Sequence, residues 1–156
     1  MQRRHLILGG ASVLLVPSAF AHHGWSSFDQ DRPIYLEGKA VKASWGNPHA
    51  EVDLQVSADL KLPPDLARRA LPAQSANVDG PRLLAAARLP TRRDPVWEIE
   101  FAPLTRMEAW KVPQLKVGDR IEVLGFTLVG EKGEAVLRVE YLFAGGKTYG
   151  MRSAPA

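Results

Sequence analysis

Apolar and polar residues alternate over three stretches of this chain, and a repeat of two is the mark of a strand with one face turned inward. Ala50, Val52, Leu54 and Val56 interleave with Glu51, Asp53 and Gln55. A Gly46-Asn47-Pro48 turn precedes them and leaves His49 at the head of the polar face. Trp97, Ile99 and Phe101 take one face of a second stretch and Glu98 and Glu100 the other. Ala135, Leu137, Val139, Tyr141 and Phe143 alternate with Val136, Arg138, Glu140 and Leu142 in a third, which Gly145-Gly146 closes. Two further strands are predicted. One runs over residues 34–44, where Gly38 marks a bulge or a close backbone approach. The other runs over residues 120–129, where the apolar register passes from Ile121 and Val123 to Phe126 and Leu128 and so predicts a bulge at Gly125. Residues 130–133 form the hairpin that follows it.

Between the third and fourth strands, Pro103 suits a first helical position, and Leu104, Met107, Trp110 and Lys111 recur at near-helical spacing before Pro113 ends the helix. Strand, strand, strand, helix, strand, strand is the order of a small five-stranded OB-like barrel, mainly β, with one short helix between strands three and four. The expected core is Trp45, Trp97, Trp110, Phe101, Tyr141 and Phe143. Residues 58–94 break the pattern. Pro63-Pro64, Pro72, Asp79-Gly80-Pro81 and Pro90 punctuate two Leu/Ala/Arg stretches that suit single helical turns, so this is a long loop insertion, expected to be solvated and flexible.

The first 21 residues read as an export signal, with Arg3 and Arg4 at the positive end, an apolar run from Leu6 to Val16 and Ala19-Phe20-Ala21 as a small-x-small cleavage site. The expectation is a periplasmic protein cleaved after Ala21, whose single barrel domain occupies residues 22–156. Arg3-Arg4-His5-Leu6-Ile7 resembles a twin-arginine signal, although Gln2 stands where Ser or Thr is usual and no Phe follows, so the folded and unfolded export routes both stay open. Taking 21 residues from 156 leaves 135, and losing Arg3 and Arg4 lowers the basic groups from 20 to 18 against 17 acidic ones. A near-neutral chain has neither the basic stripe that nucleic acid requires nor a polybasic membrane patch. An apolar run of about 11 residues is too short to span a bilayer, so no stable membrane insertion is expected once the signal is removed. The absence of cysteine excludes a disulfide scaffold, a zinc-thiolate site and thiol catalysis.

His5 leaves with the signal, and the three remaining histidines are His22 and His23 at the new terminus and His49 at the head of a strand. A terminal histidine can chelate one metal ion through its α-amine and its Nδ1, and one more imidazole completes a T-shaped set of three nitrogens, a histidine brace. His22 and His49 are the candidate ligands. Nitrogen donors in that arrangement favour Cu(II) over zinc, which prefers four tetrahedral ligands. Glu51 shares the face of His49 and is the candidate axial oxygen or hydrogen-bond acceptor; Asp53 shares that face too. The amine and imidazoles must lose protons to bind, so affinity should rise between about pH 5 and 8. His23 offers a second mode, with the amine and the intervening amide, that does not use His49. Unoccupied by metal, His22 and His23 would be polar residues at a frayed end.

Glu98 and Glu100 with Glu37 or Glu51 could pair carboxylates for acid-base work, although alternating glutamates on strands are commonly a solvated face. Gly145-Gly146-Lys147-Thr148 resembles the tail of a phosphate loop but lacks its first glycine and its helix. Three functions follow. The first is a periplasmic copper-binding protein for buffering or delivery. The second is a metal-free OB-like module that binds a periplasmic protein or small ligand through the insertion, where Arg68, Arg69, Arg82, Arg88, Arg92 and Arg93 suit an acidic partner. The third, a copper-dependent oxidase, needs a substrate surface that the sequence does not display, so binding is favoured over catalysis.

Ala21-His22-His23, Phe28-Asp29, Leu36-x-Gly38, Trp45-x-Asn47-Pro48-His49, Trp97-x-x-x-Phe101, Trp110 and Leu115-x-x-Gly118-Asp119 together resemble a family of small, largely uncharacterised secreted bacterial proteins. The signal junction followed by His-His and the Trp-x-Asn-Pro-His segment are its most specific parts. The resemblance implies an exported barrel domain and carries no activity. The chain departs from that pattern at Gly24-Trp25, at Ala109 and in the length of residues 58–94. In ligand types alone, the terminal histidine resembles the brace of periplasmic copper-resistance proteins and copper monooxygenases.

Overall fold

A computed structural model describes residues 24–156. The described residues form six strands: β1 (Ile34–Trp45), β2 (Ala50–Val56), β3 (Val96–Glu100), β4 (Arg120–Thr127), β5 (Val136–Ala144) and β6 (Lys147–Gly150). The long β1 lies antiparallel between β2 and β4, β3 pairs with β2, and β5 pairs with β4. A parallel pairing of β3 with β5, through Ile99 and Leu137, closes these five strands into a barrel, and β6 adds to β5 outside it. Helix α1 (Gly80–Ala85) lies in the insertion and α2 (Leu104–Ala109) between β3 and β4. Closure leaves no free edge among the five strands, which removes the usual template for edge-to-edge association.

The inward positions of the alternating stretches fill the barrel. Leu36, Val52, Leu54, Trp97, Ile99 and Val139 are essentially inaccessible, and Met107 of α2 joins them. Trp97 and Phe101 are buried in the barrel as expected; Tyr141 and Phe143 are buried outside it, because the extra residue Glu140 shifts the phase of β5, and Trp45 and Trp110 are half-buried and pack against the barrel core from its margin. Trp45 closes β1 at the turn, and the Trp110 indole donates to the Ser153 carbonyl at 2.8 Å, so each keeps one side toward solvent.

Two glycines are dictated by backbone contact. A Cβ on Gly38 would sit 2.1 Å from the Gln55 carbonyl oxygen, so this position is a close approach of β1 to β2, while the bulge in β1 falls between Ala40 and Lys42. A Cβ on Gly125 would sit 2.2 Å from the Arg138 carbonyl oxygen, where the β4–β5 register shifts; the extra residue is Glu140 of β5, and β4 alternates without a bulge, with Ile121 and Val123 inside the barrel and Leu124 and Phe126 in the cluster outside it. Strand β4 ends at Thr127, two residues short of the expected limit, because Val129–Glu131 winds into a 3-10 turn with Gly130 at φ +69°. Gly145 and Gly146, both at positive φ, make the two-residue hairpin that starts β6, a strand the sequence pattern did not reveal.

The insertion corrects a larger expectation. Its two short helical turns are present, at Leu66–Arg68 and in α1, but the segment packs on the barrel instead of standing free in solvent. Leu66, Leu83 and Leu84 are buried with Phe28 over the outer side of β4 and β5, where Leu124, Phe126, Val136, Tyr141 and Phe143 form a second apolar cluster. Each such leucine contributes about 1.5–3 kcal/mol by leaving water. The buried Glu131 carboxylate accepts from the backbone amides of Thr91 and Arg92 and fastens the end of the insertion. Three of its six arginines are held by acids within the chain: Arg69 by Glu122 and Asp65, Arg82 by Asp79, and Arg92 by Asp94.

Under this cover the Tyr35 hydroxyl donates to Glu122 at 2.6 Å. Burial, and after it the hydrogen bond and charge of Glu122, push the phenol far above its ordinary value of 10.0. The folded-state value exceeds the unfolded one, so stability tied to the neutral phenol is complete below about pH 10 and declines above it. In an alkaline titration followed at once by tyrosinate absorbance and circular dichroism, Tyr35 is expected to ionise only as the barrel unfolds, a component missing in Tyr35→Phe. Ionisation of Tyr35 near pH 10 in an intact fold would contradict this.

Candidate metal-binding face

His49 closes the turn after the cis Asn47–Pro48 peptide and enters β2 with its ring toward β5. Its Nε2 lies 3.3 Å from Nη2 of Arg138, and Nη1 of the same guanidinium donates to Glu100 Oε2 at 3.0 Å. A guanidinium has only donors, so the imidazole nitrogen must accept, and the neutral ring then carries its proton on Nδ1. The barrel register makes this grouping: Glu51 stands opposite Glu100, and Glu100 opposite Arg138, in one row across β2, β3 and β5. The side chains of Arg138 and Glu100 are only 9% and 6% exposed, which makes theirs a buried ion pair that neither member can lose cheaply.

A second pair stands beside the first. Glu140 is wholly buried and accepts from Nε of Arg152 at 2.9 Å, while Arg152 Nη1 donates to Gln30 and the Gln30 amide donates to the Trp25 carbonyl. The Arg152 guanidinium lies 3.7 Å from the centre of the Trp25 ring, and that of Arg138 lies 5.2 Å from it. Such contacts contribute about 0.5–2 kcal/mol each. Arg106, which donates to the Met151 carbonyl at 3.0 Å, is pushed down first by burial and then by the charge of Arg138. The 3-10 turn Trp25–Ser27 is thereby fastened to the part of the barrel that carries Arg138 and His49.

Of the residues singled out in the sequence, Glu51, Glu98 and Glu100 share neighbouring positions on β2 and β3, and Asp53 faces Glu98 and Lys42. Glu98 is pushed up by burial first and then by Glu51, Glu100, Glu134 and Asp53, so this is a crowded acidic face. Glu37 does not join it. It faces Glu122 across β1 and β4, near the Tyr35 hydroxyl, and so forms no pair with Glu98 or Glu100. Glu100 is also not the solvated side chain that its alternation suggests: it is buried and paired with Arg138. The export signal, its cleavage site, His22 and His23 lie outside the described residues. Among the described residues, no group of three or more His, Asp or Glu side chains is arranged to hold a metal.

Arg138, Arg152 and Trp25 were not read from the sequence as parts of a site. The available signal was in β5, whose first eight positions are all buried. An Arg and a Glu inside such a strand must each find a partner, and these are Glu100 and Arg152. Elsewhere, a cleft of about 590 Å³ is bordered by Glu37, Arg69, Arg120, Phe143 and Lys147, with the Arg69 guanidinium 4.7 Å from the Phe143 ring centre.

The model of a family of unknown function (DUF6152) matches residues 11–61, a stretch that takes in His22, His23, His49 and strands β1 and β2. Comparison with curated proteins and with solved structures gave no match.

Proposed function

We propose that this is an exported copper-binding protein that buffers or delivers the ion in the periplasm, with His22, through its amine and ring, and His49 as ligands. One observation carries the reading: Trp25 lies against Arg138, and Arg138 is hydrogen-bonded to His49. His22 and His23 are three and two residues ahead of Trp25, a chain length of at most about 11 Å. On this reading the short tether from Trp25 carries the histidine pair to His49, the only histidine among the described residues. Glu51, two residues beyond His49, is an available oxygen for the axial position. The family match adds that one sequence pattern spans both histidine segments.

The test is Cu(II) titration followed by electron paramagnetic resonance, on protein processed to begin at His22. One equivalent of axial, nitrogen-rich copper is expected, with affinity reduced about 100-fold both in His49→Ala and in a form with one extra residue before His22. Loss on extension with no effect of His49→Ala would assign copper to the local mode through His23. Equal, loose binding in all three forms would overturn the copper reading and favour the metal-free module, for which the 590 Å³ cleft with its mixed charge supplies a small-ligand site.

A further inference from the structure

We infer that Arg138 occupies the cation position of this site in the metal-free protein, and that the carboxylate which a bound metal takes is Glu100. The inference rests on the copper reading above and identifies the group that copper must displace. The two Nη atoms share one carbon, so the imidazole nitrogen held by one and the carboxylate oxygen held by the other converge on a single compact positive group. An imidazole nitrogen and a carboxylate oxygen converging in this way are donors that suit divalent copper. The site is already built for a cation, and the chain supplies its own.

Burial decides between the two carboxylates. Glu100 is 5% exposed and shut away from water, so it holds a positive charge closely, whereas Glu51, its partner across β2 and β3, is half-buried and keeps contact with solvent. A metal ion arriving at His49 meets the Arg138 charge at contact distance, and the two cannot share the imidazole lone pair. Displacement requires the guanidinium to give up His49 and Glu100; its contact with the Trp25 ring, at 5.2 Å, is already made, and Arg152 holds that ring more closely, at 3.7 Å. Arg138 is thus a positioning residue that holds the His49 nitrogen and the Glu100 carboxylate until a stronger cation replaces it.

Copper(II) affinity measured on chains beginning at His22 tests this. Arg138→Met is expected to bind at least tenfold tighter than the wild type, Glu100→Gln about tenfold weaker, and Glu51→Gln as the wild type does. In the double variant of Arg138→Met and Glu100→Gln the gain should vanish, since the two changes act on one interaction. Because Arg138→Met leaves a buried carboxylate without its partner and could fail to fold, a second measurement uses the wild type. Arginine side-chain nitrogen signals are followed by NMR with Cu(I), which is diamagnetic. The Arg138 signals are expected to move with the His49 ring signals at one equivalent. Copper bound to the wild type with Arg138 unmoved, or with equal affinity in the Arg138 and Glu100 variants, overturns the inference and leaves the copper reading intact. No copper on the wild type or on any variant overturns both.

Discussion

Replacing Arg152 with methionine is expected to destabilise the protein by about 3–5 kcal/mol, the range for a buried ion pair that loses one partner. Arg152 is itself partly exposed, and its side chain would pass for a surface residue, but its carboxylate partner Glu140 is fully buried. Without the guanidinium, Glu140 keeps only the Gln74 amide, which donates at 3.3 Å. The same change removes the contact with Trp25 and the hydrogen bond to Gln30, so the start of the described chain loosens together with β5. Urea denaturation followed by tryptophan fluorescence measures the cost. Pairing the substitution with Glu140→Met should recover most of it, because the uncompensated charge and not the missing contacts dominates. A loss below about 1 kcal/mol in the single variant would show that Glu140 finds water or another partner.

Gly125→Ala should cost about 3 kcal/mol, at the upper end for an added methyl group. The new Cβ would meet the Arg138 carbonyl oxygen at 2.2 Å and its carbon at 2.9 Å, and backbone cannot turn aside as a side chain can. Relief requires β4 and β5 to separate at the register shift between Leu124 and Gly125. The residue pushed is Arg138, so the damage is not confined to stability: the guanidinium should lose its alignment with both Glu100 and His49. Thermal unfolding measures the first effect and the nitrogen signals of the Arg138 side chain the second. Gly38→Ala, whose Cβ meets β2 and not β5, serves as a control that destabilises without moving Arg138. Unchanged stability in Gly125→Ala would mean that the strands part freely at the bulge.

The barrel could be read from the chain because a repeat of two over Ala50–Val56 and Val96–Glu100 records which side of a strand leaves water. The change of apolar phase near Gly125 is not a bulge in β4: Phe126 lies on the outer face of that strand, which is apolar because the insertion covers it, and the extra residue at the register shift is Glu140 of β5. Strand β6 was not legible, because its four residues follow a Gly-Gly hairpin and are too few to show a period. The repeat identifies an outer face but says nothing about what later covers it. Glu100 lies outside the barrel, as its alternation indicates, and is buried under an arginine from β5; Tyr141 and Phe143 share a repeat with Val139 but lie outside too, because the extra residue Glu140 shifts the phase of β5, and the insertion covers them. Those covers come from residues tens of positions away, which a local pattern does not encode. His49 was recognised as a candidate from its residue type and turn, whereas the arginine holding it was hidden in a strand that reads as apolar.

Fixing Trp25 against two guanidiniums also has an entropic meaning. A donor group carried on a short tether from a fixed point does not search the solvent for its acceptor; it samples a small volume around the anchor, at an effective concentration in the millimolar range or above. The cost of ordering the chain at Trp25 is offset within the fold by its contacts with Gln30, Arg138 and Arg152. For the copper binding proposed above, weakening the contacts of the Trp25 ring is expected to lower the affinity without altering a single donor atom.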